Sequence, residues 1–245
     1  MTLKGFTPIW IALLLTGGTL VFAQTAKSGS ATKGMSKPTE DWPDLQRYQA
    51  ADRELKPTQP GENRVVFLGD SITDAWGRSP GTTFFPGKPY INRGISGQTT
   101  PQMLVRFRQD VVALQPKVVV ILAGTNDVAQ NTGPMTPQDT ENNLMSMADL
   151  ARQNDIRVVL ASVTPALAFP WRPNIQPVEK ILALNQWIKE YAATKGYIYL
   201  DYYSALAGED HGMKPGLSVD GVHPTNAGYE LMAPLAEKAI QQALR

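Results

Sequence analysis

The chain has 245 residues, 42% hydrophobic and 18% charged, a composition that excludes a disordered or fibrous protein and suits one domain with a sizeable core. Its formal net charge of +1 supplies no field to steer it toward nucleic acid or an anionic membrane, so neither is an expected partner. With no cysteine and only two histidines, disulfides, thiolate sites and a zinc site fall away, and no metal or cofactor is expected.

The N-terminal stretch "MTLKGFTPIWIALLLTGGTLVFAQ" carries one lysine, an apolar run from Ile9 to Leu15, and small residues ending in Val21-Phe22-Ala23. That layout predicts a signal peptide over residues 1–23 and an exported protein, with an uncleaved membrane anchor as the alternative. Residues 24–43 are small and polar and read as a flexible linker, leaving 44–245 as the folded domain. A short helix is expected in "DLQRYQAADREL".

Five apolar runs follow: "RVVFLG" (64–69), "PYINRG" (89–94), "KVVVILAG" (117–124), "RVVLASV" (157–163) and "YIYLDY" (197–202). Their continuity, without polar alternation, is the pattern of strands buried on both faces of a parallel sheet. Helical segments lie between them, two opening on Thr-Pro with Thr100 and Thr136 as caps, one ending on Gly196, and a last one running from "TNAGYELMAPL". The alternation predicts a three-layer α/β/α domain with a parallel sheet of five strands.

In such sheets sites form beyond the carboxyl ends of the strands. "GDS" at 69–71 follows the first, "NRGISGQTT" at 92–100 ends the second, and "GTND" at 124–127 ends the third. Ser71 could cap the helix that follows or serve as a nucleophile. A nucleophile needs a base and a group to orient that base, and "SVDGVHPTNAG" supplies His223 and Asp220 three residues apart. His223 in a helix-capping turn, with Thr225 as the cap, is the competing reading; His211 in a polar loop reads as a surface residue. Donors for an oxyanion are the Ser71 N–H, the Gly94 N–H and the Asn126 side-chain amide. Neither a Gly-x-Ser-x-Gly elbow nor a P-loop occurs.

Four blocks in this order resemble the SGNH (GDSL-type) hydrolase family: "GDS", "NRGISGQTT", "GTND" and "DGVHPT" at 220–225. The first continues with Ile72 where the family's eponymous pattern has leucine. The resemblance implies a flavodoxin-like fold and a serine esterase in which Ser71 is the nucleophile, His223 the base and Asp220 its partner, with Ser71, Gly94 and Asn126 forming the oxyanion hole. It further implies a small-molecule or carbohydrate ester as substrate, with short acyl groups, acetyl above all, as the first expectation. A lysophospholipase or thioesterase with a longer acyl groove is the alternative, and a non-catalytic carbohydrate-binding module is the alternative of another class. The loop "TPALAFPWRPNIQP" offers Trp171 and Arg172, between prolines, as substrate-binding candidates; Trp76 and Phe84 are either loop anchors or substrate contacts.

Overall fold

The computed structural model describes residues 41–245. The predicted signal peptide, and the linker up to residue 40, lie outside the described residues. The body starts earlier than the predicted boundary at 44, because the carbonyls of Trp42 and Pro43 already accept hydrogen bonds from Gln102 and Gln98.

Five strands form one sheet: β1 (Val65–Gly69), β2 (Tyr90–Gly94), β3 (Val118–Leu122), β4 (Arg157–Ala161) and β5 (Ile198–Leu200). All pairings are parallel, in the order β2-β1-β3-β4-β5, the flavodoxin-like arrangement. Each strand lies inside one of the five apolar runs. The α-helices among the described residues are α1 (Gln49–Glu54), α2 (Ser71–Ala75), α3 (Thr100–Asp110), α4 (Thr125–Val128), α5 (Pro137–Gln153), α6 (Val178–Lys195), α7 (Tyr203–Leu206) and α8 (Asn226–Ala243).

Strand geometry sends successive side chains to opposite faces, which explains why the runs are apolar throughout. Val66, Leu68, Val119 and Ile121 pack with Met103, Phe107, Leu144, Met147, Ile181 and Ile188 of α3, α5 and α6. Val65, Phe67, Val118 and Val120 face the other way, onto Ile72 of α2 and Tyr229, Met232, Ala236 and Ile240 of α8. Both faces are therefore covered, as the three-layer prediction requires. No described helix is long and apolar enough to cross a membrane.

One local expectation changes and one open choice is resolved. Thr136 caps α5, accepting from Asp139 N at 3.2 Å, but the cap of α3 is Thr99 rather than Thr100. The Thr99 N–H donates to Gln102 Oε1 at 3.0 Å, while the Thr100 N–H and hydroxyl turn inward onto the buried Asp127 carboxylate. Trp76 and Phe84 belong to an aromatic cluster with Phe67, Phe85 and Tyr229, their rings 5.0–6.1 Å apart, and so anchor the loop after α2.

Candidate active site

The sheet order reverses between β1 and β3, and the loops leaving the carboxyl ends of these strands open at that point. Gly69 ends β1 and α2 starts two residues later, so the turn has to be capped within Asp70 and Ser71. Asp70 does it: its Oδ1 accepts from the Ile72 N–H at 3.0 Å. This frees the Ser71 hydroxyl, whose Oγ lies 2.9 Å from Nε2 of His223.

His223 sits in the loop between α7 and α8. The Val219 N–H and the Ser218 hydroxyl both donate to its carbonyl, each at 2.9 Å, and Thr225 caps α8 two residues on. Asp220 folds back over the turn, its Oδ1 accepting from the N–H of Val222 at 3.0 Å and of His223 at 2.8 Å. The other oxygen is 2.7 Å from His223 Nδ1. Partial burial raises the Asp220 carboxyl, but the His223 N–H, its imidazole and the Val222 N–H together hold it below the ordinary carboxylate range. An ionised Asp220 at Nδ1 leaves Nε2 as the acceptor for the serine proton. Ser71, His223 and Asp220, 152 and 149 positions apart in the chain, thus form one hydrogen-bonded row. His211 lies elsewhere, its Nδ1 3.1 Å from the hydroxyl of Tyr203.

Of the three expected oxyanion donors, Gly94 is corrected by its own hydrogen bond. Its N–H donates to Asn92 Oδ1 at 2.9 Å and its carbonyl accepts from the Tyr48 hydroxyl, so it has no free donor to offer. Gly94 serves packing instead: a Cβ there would lie 2.1 Å from the backbone nitrogen of Asp74. In the same block, Gly97 has an exposed N–H with no partner among the described residues, and its φ of +79° suits glycine. The Ser71 N–H is likewise unpartnered. Asn126, buried in the first turn of α4, points its Nδ2 at the Gln98 carbonyl (3.0 Å) and more weakly at Asp70 Oδ2 (3.4 Å). Nothing in "NRGISGQTT" read as a string separates the two glycines; the partner of each N–H does.

Beneath these loops Arg106 is fully buried against Asp110 at 3.0 Å. Its remaining N–H groups reach Gly69 O, Arg93 O and Gln98 Oε1, so one guanidinium ties the ends of β1 and β2 to the loop carrying Gly97.

A cleft of about 500 Å³ opens at Ser71 and His223, with Ala75, Ser79, Ser96 and Val219 among its walls. Trp171 stands beside the base: the indole lies 5.9 Å from the His223 ring and donates to Asn131 Oδ1 at 2.9 Å. Arg172 follows it in an exposed turn, and its guanidinium enters no hydrogen bond or ion pair among the described residues, so no contact carries it to the site.

Residues 67–231 match the GDSL-like Lipase/Acylhydrolase family. A solved structure of a protein assigned as an acylhydrolase, from Bacteroides fragilis, is 45% identical with a TM-score of 0.81, covering 84% of this chain and 100% of that one. The esterase TesA of Pseudomonas aeruginosa is 28% identical over 69% of this chain and 83% of its own length. An acetylxylan esterase of Geobacillus stearothermophilus is 33% identical over 26% of this chain. The chain spans 33% and 40% of the lengths of the first curated relatives it matches.

Proposed function

The chain belongs to the GDSL-like lipase/acylhydrolase family of carboxylic ester hydrolases, and we propose that it removes short acyl groups, acetyl first, from carbohydrate esters outside the cytoplasm. The observation that carries the reading is the row Ser71 Oγ, His223 Nε2 and Nδ1, Asp220 Oδ2, with links of 2.9 and 2.7 Å. Such a row supports a two-step acyl transfer. Ser71 Oγ attacks the ester carbonyl while His223 takes its proton, and the negative oxygen meets the N–H groups of Ser71 and Gly97 and the Asn126 amide, which exchanges its weak 3.4 Å bond to Asp70 Oδ2 for the oxyanion. His223 then gives the proton to the departing alcohol, leaving an acyl-serine. Water, deprotonated by His223, releases the acid and restores Ser71. Asp220 stays ionised and holds the imidazole in the tautomer each step needs.

The substrate class rests on the shape of the rim. The cleft is open, and Trp171 presents a half-exposed indole face beside the base, where a sugar carrying the leaving oxygen would stack. The likeness to an acetylxylan esterase and the apolar N-terminal stretch support a carbohydrate ester met after export.

The test is hydrolysis of p-nitrophenyl acetate, butyrate, octanoate and palmitate by the wild type, Ser71→Ala and Asn126→Ala. The reading expects rates falling steeply beyond acetate, none in the serine variant, and a loss on the order of 100- to 1000-fold in the asparagine variant. Rates rising with chain length would move the substrate to lysophospholipids or acyl thioesters. Full activity without Ser71, or no labelling of the wild type by an organophosphorus probe, would end the serine-esterase reading.

A further inference from the structure

Asn126 lies in a recognised block, but its geometry depends on a residue outside every block. Asn131 follows α4, after Gln130 turns the chain through a left-handed conformation with φ of 56°. Its own N–H returns to the carbonyl of Asn126 at 3.0 Å, so the two side chains face each other across a closed turn. Asn131 Nδ2 donates to Asn126 Oδ1 at 2.7 Å and to the Gly97 carbonyl at 3.3 Å. Its own Oδ1 accepts the indole N–H of Trp171 at 2.9 Å.

We infer that Asn131 is a positioning residue, one that sets which end of the Asn126 amide faces the oxyanion and ties that donor to Gly97 and to the Trp171 platform. The inference rests on the serine-esterase reading above. Its reason is the polarity of amides: an NH2 group only donates, and a carbonyl oxygen only accepts. Asn131 offers an NH2 to one end of the Asn126 amide, so that end must be the oxygen. The opposite end faces two acceptors, the Gln98 carbonyl and Asp70 Oδ2, so it must be the nitrogen. Buried as Asn126 is, no bulk water would satisfy a reversed amide. The orientation that catalysis needs is thereby selected from both ends, and among the described residues the selection from the outer end belongs to Asn131.

The second consequence concerns specificity. A leaving alcohol stacked on Trp171 presses on an indole whose N–H is two hydrogen bonds from the Asn126 amide. Occupying that platform therefore steadies the same residue that steadies the oxyanion donor. An ester with a bulky sugar alcohol gains in turnover as well as in binding, whereas a small alcohol leaves the link unused.

Asn131→Asp separates these roles. A carboxylate keeps the acceptor for Trp171 but sets an oxygen against Asn126 Oδ1, a repulsion relieved when the Asn126 amide turns over and points its oxygen at the oxyanion. Asn131→Ala removes the outer donor without supplying a repulsion, and Trp171→Phe removes the indole N–H together with part of the ring face. The measurements are kcat and KM on p-nitrophenyl acetate, the affinity for phenylboronic acid, which forms a tetrahedral adduct on the serine, and Tm. Asn131→Asp is expected to lose about 100-fold in kcat, approaching Asn126→Ala, with KM within about threefold and boronate affinity falling in step. Asn131→Ala is expected to lose less than about tenfold, with a matching small loss of boronate affinity. Trp171→Phe is expected to lose more kcat on an acetylated xylo-oligosaccharide than on p-nitrophenyl acetate.

A kcat for Asn131→Asp within about threefold of wild type would overturn the inference. So would equal kcat losses in the two Asn131 variants with boronate affinity unmoved, the signature of a merely structural turn. Should the aspartate variant fail to fold, wild-type boronate affinity in Asn131→Ala decides against the inference by itself. Activity surviving in Ser71→Ala, by contrast, would overturn the serine-esterase reading on which this inference rests.

Discussion

Asp70 is wholly buried beside Ser71, and that burial pushes its carboxyl from the ordinary 3.8 up to about 6 despite the opposing Ile72 N–H and the His223 imidazole; Asp127 adds to the rise. The direction fixes the effect on stability. Between about pH 4 and pH 6 the folded protein holds a proton at Asp70 that the unfolded chain has released, so this contribution is full below pH 4 and lost as pH climbs through 6. A displacement of this size corresponds to about 3 kcal/mol. Asn at this position keeps an oxygen for the Ile72 N–H but does not titrate. Urea melts at pH 4, 5, 6 and 7 should therefore show Asp70→Asn with a shallower loss of stability across this range than wild type. Identical slopes would mean that Asp70 does not titrate there. At this scale the sequence left two readings of Ser71 open, cap or nucleophile, because either role places a serine at a helix start. Asp70 settles the cap, as its side chain reaches Ile72 at 3.0 Å.

Among the elements, α2 and β2 approach so closely that Gly94 has no room for a side chain, with backbone atoms of Asp74 2.1 and 2.6 Å from where a Cβ would stand. Gly97, three residues later, has nothing within 4 Å of the equivalent point. Gly94→Ala must push α2 off the sheet, and a loss of about 3 kcal/mol or more in unfolding free energy is expected. Gly97→Ala carries only the cost of a left-handed φ, about 1–2 kcal/mol, and should stay folded. Denaturant melts of the two variants check this, and equal losses would refute the packing role given to Gly94. The same contrast shows why the sequence places β2 well but does not tell which glycine of the block keeps a free N–H. The apolar run of a strand is local information, whereas the fate of an N–H depends on Asn92 Oδ1 and the loop geometry around it. The cap of α3 moved by one residue for a similar reason: in "TTP" either threonine fits, and the second is drawn inward by Asp127 from a distant loop.

At the scale of the whole molecule, the first described residues clasp the loop that carries Gly97. Tyr48 is buried and donates to the Gly94 carbonyl, the guanidinium of Arg93 lies 4.5 Å from the centre of its ring, and Asp52 pairs with Arg93. The carbonyls of Trp42, Pro43 and Leu45 accept from Gln102, Gln98 and Gln109. A chain beginning at Lys56 loses all of these at once. It is expected to melt roughly 10 °C lower than one beginning at Asp41, from about 3 kcal/mol of lost burial and hydrogen bonding. Its kcat should fall as well, since the Gly97 loop then keeps its bonds to Arg106, Asn126, Asn131 and Asp74 but loses its support from the N-terminal side. Matching Tm and kcat in the two chains would show the segment to be ornament. The linker prediction, drawn from small polar residues, ran past Asp41 because Trp42 and Pro43 bond through their backbones, and backbone carbonyls leave no trace in composition.

What the sequence determined by itself is the fold class, the five strands, and the ordered blocks that place Ser71, Asn126, Asp220 and His223 beyond the carboxyl ends of the sheet. These are legible because burial on both faces demands continuous apolar runs, and because reactive groups must sit where strands end and backbone is exposed. What only the tertiary structure decided is which groups are already spent: the Gly94 N–H on Asn92, the Asp70 carboxylate on Ile72, Trp76 and Phe84 on the core, the Asn126 carbonyl on Asn131. A hydrogen bond or a buried ring needs a partner at a fixed distance in space, and residues adjacent in this site are up to 152 positions apart in the chain. Local pattern specifies elements; only their packing specifies which donors remain free to act on a substrate.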